Sequence, residues 1–410
     1  MENERNLSIT KGSLLKSIVG DISMNKCNAS IHNLSDNHII DILLRLPVKT
    51  IVCCKCVCRD WLNIITDSYF INLHLSNSPE CFMVLDKDYE EPITKPTSLK
   101  LVEIHEEHGH NHLHHDPIMS LDLNLAPVFQ NVRLSAEGSV NGLICFSSSD
   151  RTIKKTYICN PITREYMILP KSINDTRDGI YGFGVSLLTS EYKVIRLYYK
   201  LIIMNGPCQL YAEIYTLGTG QWRCLGPVTY SVHHFSGTFL NYHVHWNFFD
   251  REERLEKICT FDFDDETFQL FPSPPVSLER DTDSFGMLGV LRGCLCYSYY
   301  TPTLNVLIWV MKEYGIKNSW QKEVLIEGSI CSFIGYGYDL QCFPIGSLKD
   351  GSILLVNGLL EYFPGKLLVY HPDTITKEEK EFSVLNAFNY LPSFFKLQNF
   401  ESECVHKFLR

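Results

Sequence analysis

One kind of strand recurs five times along this chain at a nearly constant interval. NGLICFS begins at Asn141, YKVIRLY at Tyr192, NYHVHWN at Asn241, RGCLCYS at Arg292 and GSILLVN at Gly351, in steps of 51, 49, 51 and 59 residues. Short apolar runs, rich in β-branched and aromatic residues and cut by Gly, Pro, Asn and Asp, have the period and punctuation of strands. Each is followed by a second hairpin of strand, polar turn and strand: YICNPITREYMILP, IYTLGTGQWRCLGP, CTFDFDDETFQLFPSP, IWVMKEYGIKNSWQKE and LVYHPDTITKEEKEF. Two hairpins about every fifty residues match propeller blades of four strands, which bury their faces by stacking on one another. A sixth copy can be assembled from CFMVLD at Cys81 and SLKLVEI around Leu101. An irregular array of β-sandwiches would explain the strands but not their even spacing. Trp222 and Trp320, each in the second hairpin of its unit, fit packing anchors between blades better than binding residues.

The chain ahead of this repeat follows a helical period. In LSDNHIIDILLRLP, residues 34 to 47, the stripe Ile39, Ile42, Leu43 and Leu46 predicts an amphipathic helix. Ser35 is its N-cap and Asp36 sits at the positive end of its dipole. Pro47 stops this helix and opens the next. IVCCKCVCRDW, from Ile51, then places Cys53, Cys54, Cys56 and Cys58 close together. A closed zinc site needs two ligand pairs that converge tetrahedrally, and the nearest second pair, Cys294 and Cys296, has the wrong spacing in a strand-like stretch. Helical period explains the run instead. On one helix from about Val48 to Ile65, Cys54 stacks on Cys58 and Val57 on Trp61, while Lys55, Arg59 and Asp60 face water. The cysteines are then small buried hydrophobes beside a large anchor, Trp61. DSYFINLHLSNSP adds a further apolar face. A helical unit of ~45 residues is small for independent stability and should gain from docking on a partner.

A length of 410 residues suggests two or three units. The net charge of −10 argues against a protein that holds nucleic acid by neutralising phosphates, and an acidic membrane surface would repel it. The first thirty residues lack the apolar run and cleavage site of a signal peptide, and no segment approaches ~18 consecutive apolar residues. Sixteen scattered cysteines fit reduced thiols better than a disulfide framework. HEEHGHNHLHH, residues 105 to 115, reads as an exposed loop whose imidazoles have no fixed geometry for a metal. FDFDDETF brings Asp262, Asp264, Asp265 and Glu266 into one hairpin, where they suit a turn rather than a glycosidase pair, whose carboxylates come from separate elements. His233, His234, His243 and His245 lie among strand-like residues and read as packing. Phosphate-loop and nucleophile-elbow motifs are missing, so no enzyme, cofactor or metal is expected.

Two stretches carry a family resemblance. LLRLPVK, KCVCRDW and FINLHL, in this order and spacing, resemble the F-box of plant F-box proteins, with Ser35 where the family usually has proline and Asn37 where it usually has aspartate. SVNGLICFSSS, YICNPITREYMILP, GFGVS, EYKVIRLYY, LRGCLCYSYY and IWVMKEYGIKNSWQKE resemble the F-box-associated domain, a kelch-related, propeller-like domain that selects a substrate. The fold class that follows is multidomain, a small all-α helical unit and then an all-β propeller-like domain. Its expected parts are an N-terminal extension at 1–30, polar and disordered, an F-box at 31–76, the propeller-like domain at 80–395 and a tail at 396–410. The resemblance implies the substrate-recognition subunit of a Skp-cullin-F-box ubiquitin ligase in the cytoplasm or nucleus, with a protein substrate that the sequence does not name. It implies docking of a Skp-type adaptor, and through it a cullin, by Leu34, Ile39, Ile42, Leu43, Leu46, Pro47, Val57, Cys58 and Trp61. The sequence does not divide these nine between F-box core and adaptor contact. A propeller scaffold that works without ubiquitin transfer is the alternative.

Overall fold

The computed structural model describes residues 34–78, 81–86, 97–107, 110–115, 120–123, 126, 128–129, 132, 134–148, 155–172, 174, 179–201, 208–232, 237–250, 252–275, 286–301, 303, 305–327, 341–348, 350–358, 365–400 and 403–408. The N-terminal extension at 1–30, and His233 and His234, lie outside the described residues.

Among the described residues four short helices come first: α1 (Asp36–Leu43), α2 (Val48–Cys54), α3 (Arg59–Thr66) and α4 (Ser68–Asn77). Ser35 holds the N-cap of α1 in extended backbone, but its hydroxyl meets the His38 ring Nδ1 at 2.7 Å instead of a backbone amide. The single helix expected from Val48 to Ile65 is broken. After α2 the chain tightens through amide bonds from Cys56 to the Cys53 carbonyl and from Val57 to the Cys54 carbonyl, and Cys58 is then fully extended and starts α3. The break turns Val48, Ile51 and Cys54 of α2 and Ile64 and Ile65 of α3 toward one core. Two other expectations change with it. Cys54 is buried, but Cys53 and Cys56 are exposed. The buried face of α1 is Ile39, Ile40 and Leu43, with Ile42 turned outward.

The rest is a six-bladed β-propeller. Blade 1 contains β1 (Cys81–Asp86), β2 (Ser98–Glu107) and β3 (His110–His115), with β4 (Leu121–Asp122) beside the start of β2. Blade 2 contains β5 (Leu134–Val140), β6 (Leu143–Ser148), β7 (Thr156–Asn160) and β8 (Glu165–Ile168). Blade 3 is β9 (Ile180–Val185), β10 (Tyr192–Leu201), β11 (Cys208–Thr216) and β12 (Trp222–Pro227). Blade 4 is β13 (Thr238–Leu240), β14 (His243–Asp250), β15 (Leu255–Asp262) and β16 (Thr267–Phe271). Blade 5 is β17 (Met287–Leu291), β18 (Cys294–Tyr300), β19 (Val306–Met311) and β20 (Trp320–Ile326). Blade 6 is β21 (Gln341–Ser347), β22 (Ile353–Gly358), β23 (Gly365–His371) and the first half of β24 (Thr376–Tyr390).

The ring is closed by β24, which changes partner at Val384. Up to that residue it pairs with β23, and from there to Tyr390 it pairs antiparallel with β1. Its second half is therefore the missing first strand of blade 1, and Asn386 donates to the Ala136 carbonyl of β5 at 3.2 Å. The segment 396–410, expected as a tail, contributes to the ring: β25 (Val405–Lys407) adds a fifth strand to blade 2 along β8. The described residues of the histidine-rich stretch, expected as a loop, belong to β2 and β3, which pair antiparallel with His105 opposite His112. Trp222 and Trp320 do cross between blades. Their indole N–H groups donate to the carbonyls of Pro170 (2.7 Å) and Pro272 (3.0 Å), each just beyond the last sequential strand of the preceding blade.

Candidate docking site

The helical unit stands at one end of the ring, and local sequence explains why that end is short. The first hairpin of blades 2, 4 and 5 turns on two residues, Asn141-Gly142, Asn241-Tyr242 and Arg292-Gly293, all with positive φ. Such turns match the twist of the paired strands and bring them round at once. Only glycine fits at 142, because a Cβ there would come within 2.4 Å of the Ser393 Cβ. Bonds between blades also gather at this end: Asn141 Nδ2 to the Tyr192 hydroxyl (3.2 Å), His245 Nε2 to the Tyr314 hydroxyl (2.9 Å) and Arg292 to the Gly351 carbonyl (2.9 Å). The longer connections between blades, 169–179, 228–237, 272–286 and 327–340, leave from the opposite end.

The junction between helices and ring centres on Phe394, 1% exposed. Its ring lies 5.0 Å from that of His74, edge on, and 6.2 Å from that of Phe70, both on α4. The Lys55 ammonium stands over it, 4.5 Å from the centroid, a contact strengthened by loss of water. The backbone on both sides of Phe394 is held by blade 2, because Asn160 Nδ2 donates to the Ser393 carbonyl (3.0 Å) and to the Phe395 carbonyl (2.8 Å), and Glu165 accepts from the Leu397 amide (2.8 Å). Buried residues of the helices, of blades 1 and 2 and of this C-terminal segment form one continuous hydrophobic cluster. The docking that so small a helical unit needs is thus met within the chain.

Burial shifts both polar groups at the junction toward their neutral forms. It lowers the Lys55 amine to about 8, helped by the nearby Lys396 charge. It lowers the His74 imidazole from 6.5 to about 4, and the Pro392 carbonyl, which favours the charged ring, offsets only part of this. A released helix would therefore take up a proton below pH 6.5 that the docked ring refuses until about pH 4. The contribution of His74 to docking is full above the upper value and is lost as pH falls through that window. The denaturant midpoint of the whole chain should fall between these pH values by more than that of His74→Phe, and equal falls would remove His74 as the cause.

The nine residues expected to meet an adaptor divide by exposure. Ile39 and Leu43 are core, at 6% and 0%. Leu46, Cys58 and Trp61 are half-buried, and Trp61 packs against the core instead of sitting inside it. Leu34 (39%), Ile42 (45%), Val57 (50%) and Pro47 are exposed. Leu62 and Tyr69 are exposed as well and were not anticipated. The signal for Leu62 was present: two residues before the buried Ile64, it falls near the opposite side of α3, where an apolar side chain has no core to enter.

The other chemical candidates are tied into the fold. Asp262 Oδ1 accepts from the amides of Asp264 (2.7 Å) and Asp265 (3.3 Å), which makes it a turn former. Asp264 accepts from the Ser186 hydroxyl and the Leu188 amide (3.0 Å) of blade 3; burial raises its pKa, but these hydrogen bonds outweigh that and lower it. Glu266 pairs with Lys193 (3.0 Å) and with Arg223, both on blade 3. His243 reaches Asp262 at 3.2 Å, and His245 is wholly buried, its pKa lowered by burial to about 3.

Four helices are fixed to one end of a six-bladed ring, and several of their apolar side chains are left in water. Comparison with known families gives the same two parts. The F-box domain matches residues 31–73, and the F-box associated beta propeller domain matches residues 106–388, more than half of the chain. The chain belongs to that propeller family and carries an F-box ahead of it. Among curated proteins it is 28% identical over 388 residues to the F-box protein At3g07870 of Arabidopsis thaliana, covering 87% of this chain and 89% of that one. It is 28% identical over 309 residues to the F-box/kelch-repeat protein At3g23880 (73% and 81%) and 27% identical over 312 residues to the F-box protein CPR1 (70% and 71%), both of Arabidopsis thaliana.

Proposed function

We propose that this protein is a substrate receptor of a Skp-cullin-F-box ubiquitin ligase. The observation that carries the reading is the division within the F-box: one set of apolar side chains fastens it to the propeller, and another set stays in water. Leu34, Ile42, Pro47 and Val57 would enter the Skp-type adaptor, flanked by Leu46, Cys58 and Trp61, with Leu62 and Tyr69 at the margin. Ile39 and Leu43 hold α1 in place for them. The adaptor would connect to a cullin, and the propeller would hold a protein substrate at the end away from the F-box, from which the longer connections leave the strands; loops commonly carry function. The chain makes and breaks no bond itself. It raises the effective concentration of substrate lysines near the conjugating enzyme, which requires the two ends to keep a fixed relation. The name of At3g23880 supports a kelch relation for the propeller, and the place of action that suits this role is the cytoplasm or nucleus.

Co-purification tests the reading. The whole chain should retain a plant Skp-type adaptor, and a chain lacking residues 31 to 76 should not. Equal retention, or none by either, would leave a propeller that acts without ubiquitin transfer.

A further inference from the structure

We propose that Cys53 and Cys56 are a redox-responsive dithiol, which closes to a disulfide by exchange with a small-molecule disulfide and thereby weakens adaptor docking. The docking half rests on the function proposed above; the disulfide does not.

Four thiols lie within six residues, yet the fold treats them differently. Cys54 faces the core and Cys58 is half-buried, while Cys53 and Cys56 are both exposed and free. The backbone between these two is the tightened end of α2, where the Cys56 amide donates to the Cys53 carbonyl at 3.0 Å. An i to i+3 bond of this kind winds three residues per turn and eclipses the side chains at its ends, with a rise of ~2 Å per residue. Three residues then separate the Cα atoms by ~6 Å along the axis, inside the span of ~4.4–6.8 Å that a disulfide bridges. The exposed cysteines of blade 3 are not so placed: Cys208 faces Leu201, and Cys224 faces Glu213 five residues further along β11.

With oxidised glutathione as the disulfide, one protein thiolate attacks a glutathione sulfur and forms a mixed disulfide, expelling one glutathione thiolate. The second protein thiolate attacks the protein sulfur of that mixed bond and expels the other. Two protein thiols lose two electrons and two protons, and one disulfide becomes two thiols. Exposure of both sulfurs serves the step, since exchange requires access. Such bonds in reducing compartments are transient and sensory rather than structural.

The consequence for docking follows from what is anchored. Helical neighbours at i and i+3 have Cβ atoms ~5–6 Å apart, whereas a disulfide holds them near ~3.8 Å. Upstream, Val48, Ile51 and Cys54 fix α2 in the core, and Lys55 is held over Phe394. The residues free to yield are Cys56 and the exposed Val57 next to it. Closure therefore draws Val57 out of its docking position.

Trypsin reads the bond directly, because Lys55 lies between the two cysteines. After treatment of the full chain with oxidised glutathione and blocking of remaining thiols, the peptides TIVCCK and CVCR should stay joined. Cys53→Ser and Cys56→Ser should each abolish the join. Peptides that separate after oxidation, or stay joined through Cys54 in the Cys53→Ser chain, would overturn the dithiol. Adaptor affinity of the oxidised chain should fall about tenfold, the loss expected when one valine-sized side chain leaves an interface, and glutathione in reduced form should restore it. Neither serine variant should respond. An unchanged affinity after proven closure would overturn the docking half, and a reduced chain that binds no adaptor would overturn the receptor reading together with it.

Discussion

Ile42→Asp combined with Val57→Asp should abolish adaptor capture and leave the propeller folded. Both side chains are about half exposed in the free chain, at 45% and 50%. A carboxylate at either place remains in water there, and surface changes of this kind cost within about 0.5 kcal/mol of stability. At an interface the balance reverses. Each substitution removes ~1.5 kcal/mol of apolar burial and forces a charge out of water with no partner, which costs several kcal/mol more unless the complex deforms. A loss of ~3 kcal/mol already corresponds to more than a hundredfold in affinity. Titration calorimetry against the adaptor, with thermal unfolding run alongside, separates the two effects. Leu43→Ala supplies the contrast, because that side chain is 0% exposed and its truncation should cost ~2–5 kcal/mol of stability. A double variant that binds as well as the unaltered chain would mean that the exposed side chains of the F-box are not the docking surface.

The ring was legible in the sequence because its units are local. A strand that opens on Asn141-Gly142 or Arg292-Gly293 announces its turn in two residues, and the even step between such strands implies stacked blades of one kind. Closure itself was not legible. The strand that completes blade 1 is the far half of β24, and nothing in FSVLNAFNY separates a strand that ends one blade from a strand that begins another. The same limit hid β25, three residues that become a strand only because β8 offers an open edge. In the F-box, period gave two amphipathic segments but put Ile42 rather than Ile40 on the buried face of α1. A helix of eight residues, about two turns, holds too few to fix the direction of its stripe. It also ran one helix through Cys58, since a stripe drawn across 54, 58 and 61 cannot show where the backbone becomes extended. The aromatic ring that fills the junction was beyond reach for another reason: Phe394 lies more than three hundred residues from the helices it packs on.

Phe394→Ala should uncouple the two halves of the molecule. The ring is buried against Phe70, His74 and Lys55, so its loss removes contacts from both sides of the junction. Truncation of a buried phenylalanine costs ~3–5 kcal/mol. The loss should be uneven, because the backbone around residue 394 stays fixed to blade 2 through Asn160 and Glu165. The propeller keeps its bonds, and the helical unit, too small to stand alone, loses its support. Thermal unfolding followed by far-ultraviolet dichroism should show one transition in the unaltered chain and two in the variant, the first in the helical signal. Saturating adaptor should restore that signal, since a ligand that binds only the folded form stabilises it by mass action. Capture of the adaptor would then survive while transfer of ubiquitin to a bound substrate slows, because a freely hinged F-box no longer holds substrate lysines at a fixed distance from the conjugating enzyme. A single transition at the unaltered temperature would show that Phe394 does not couple the F-box to the ring.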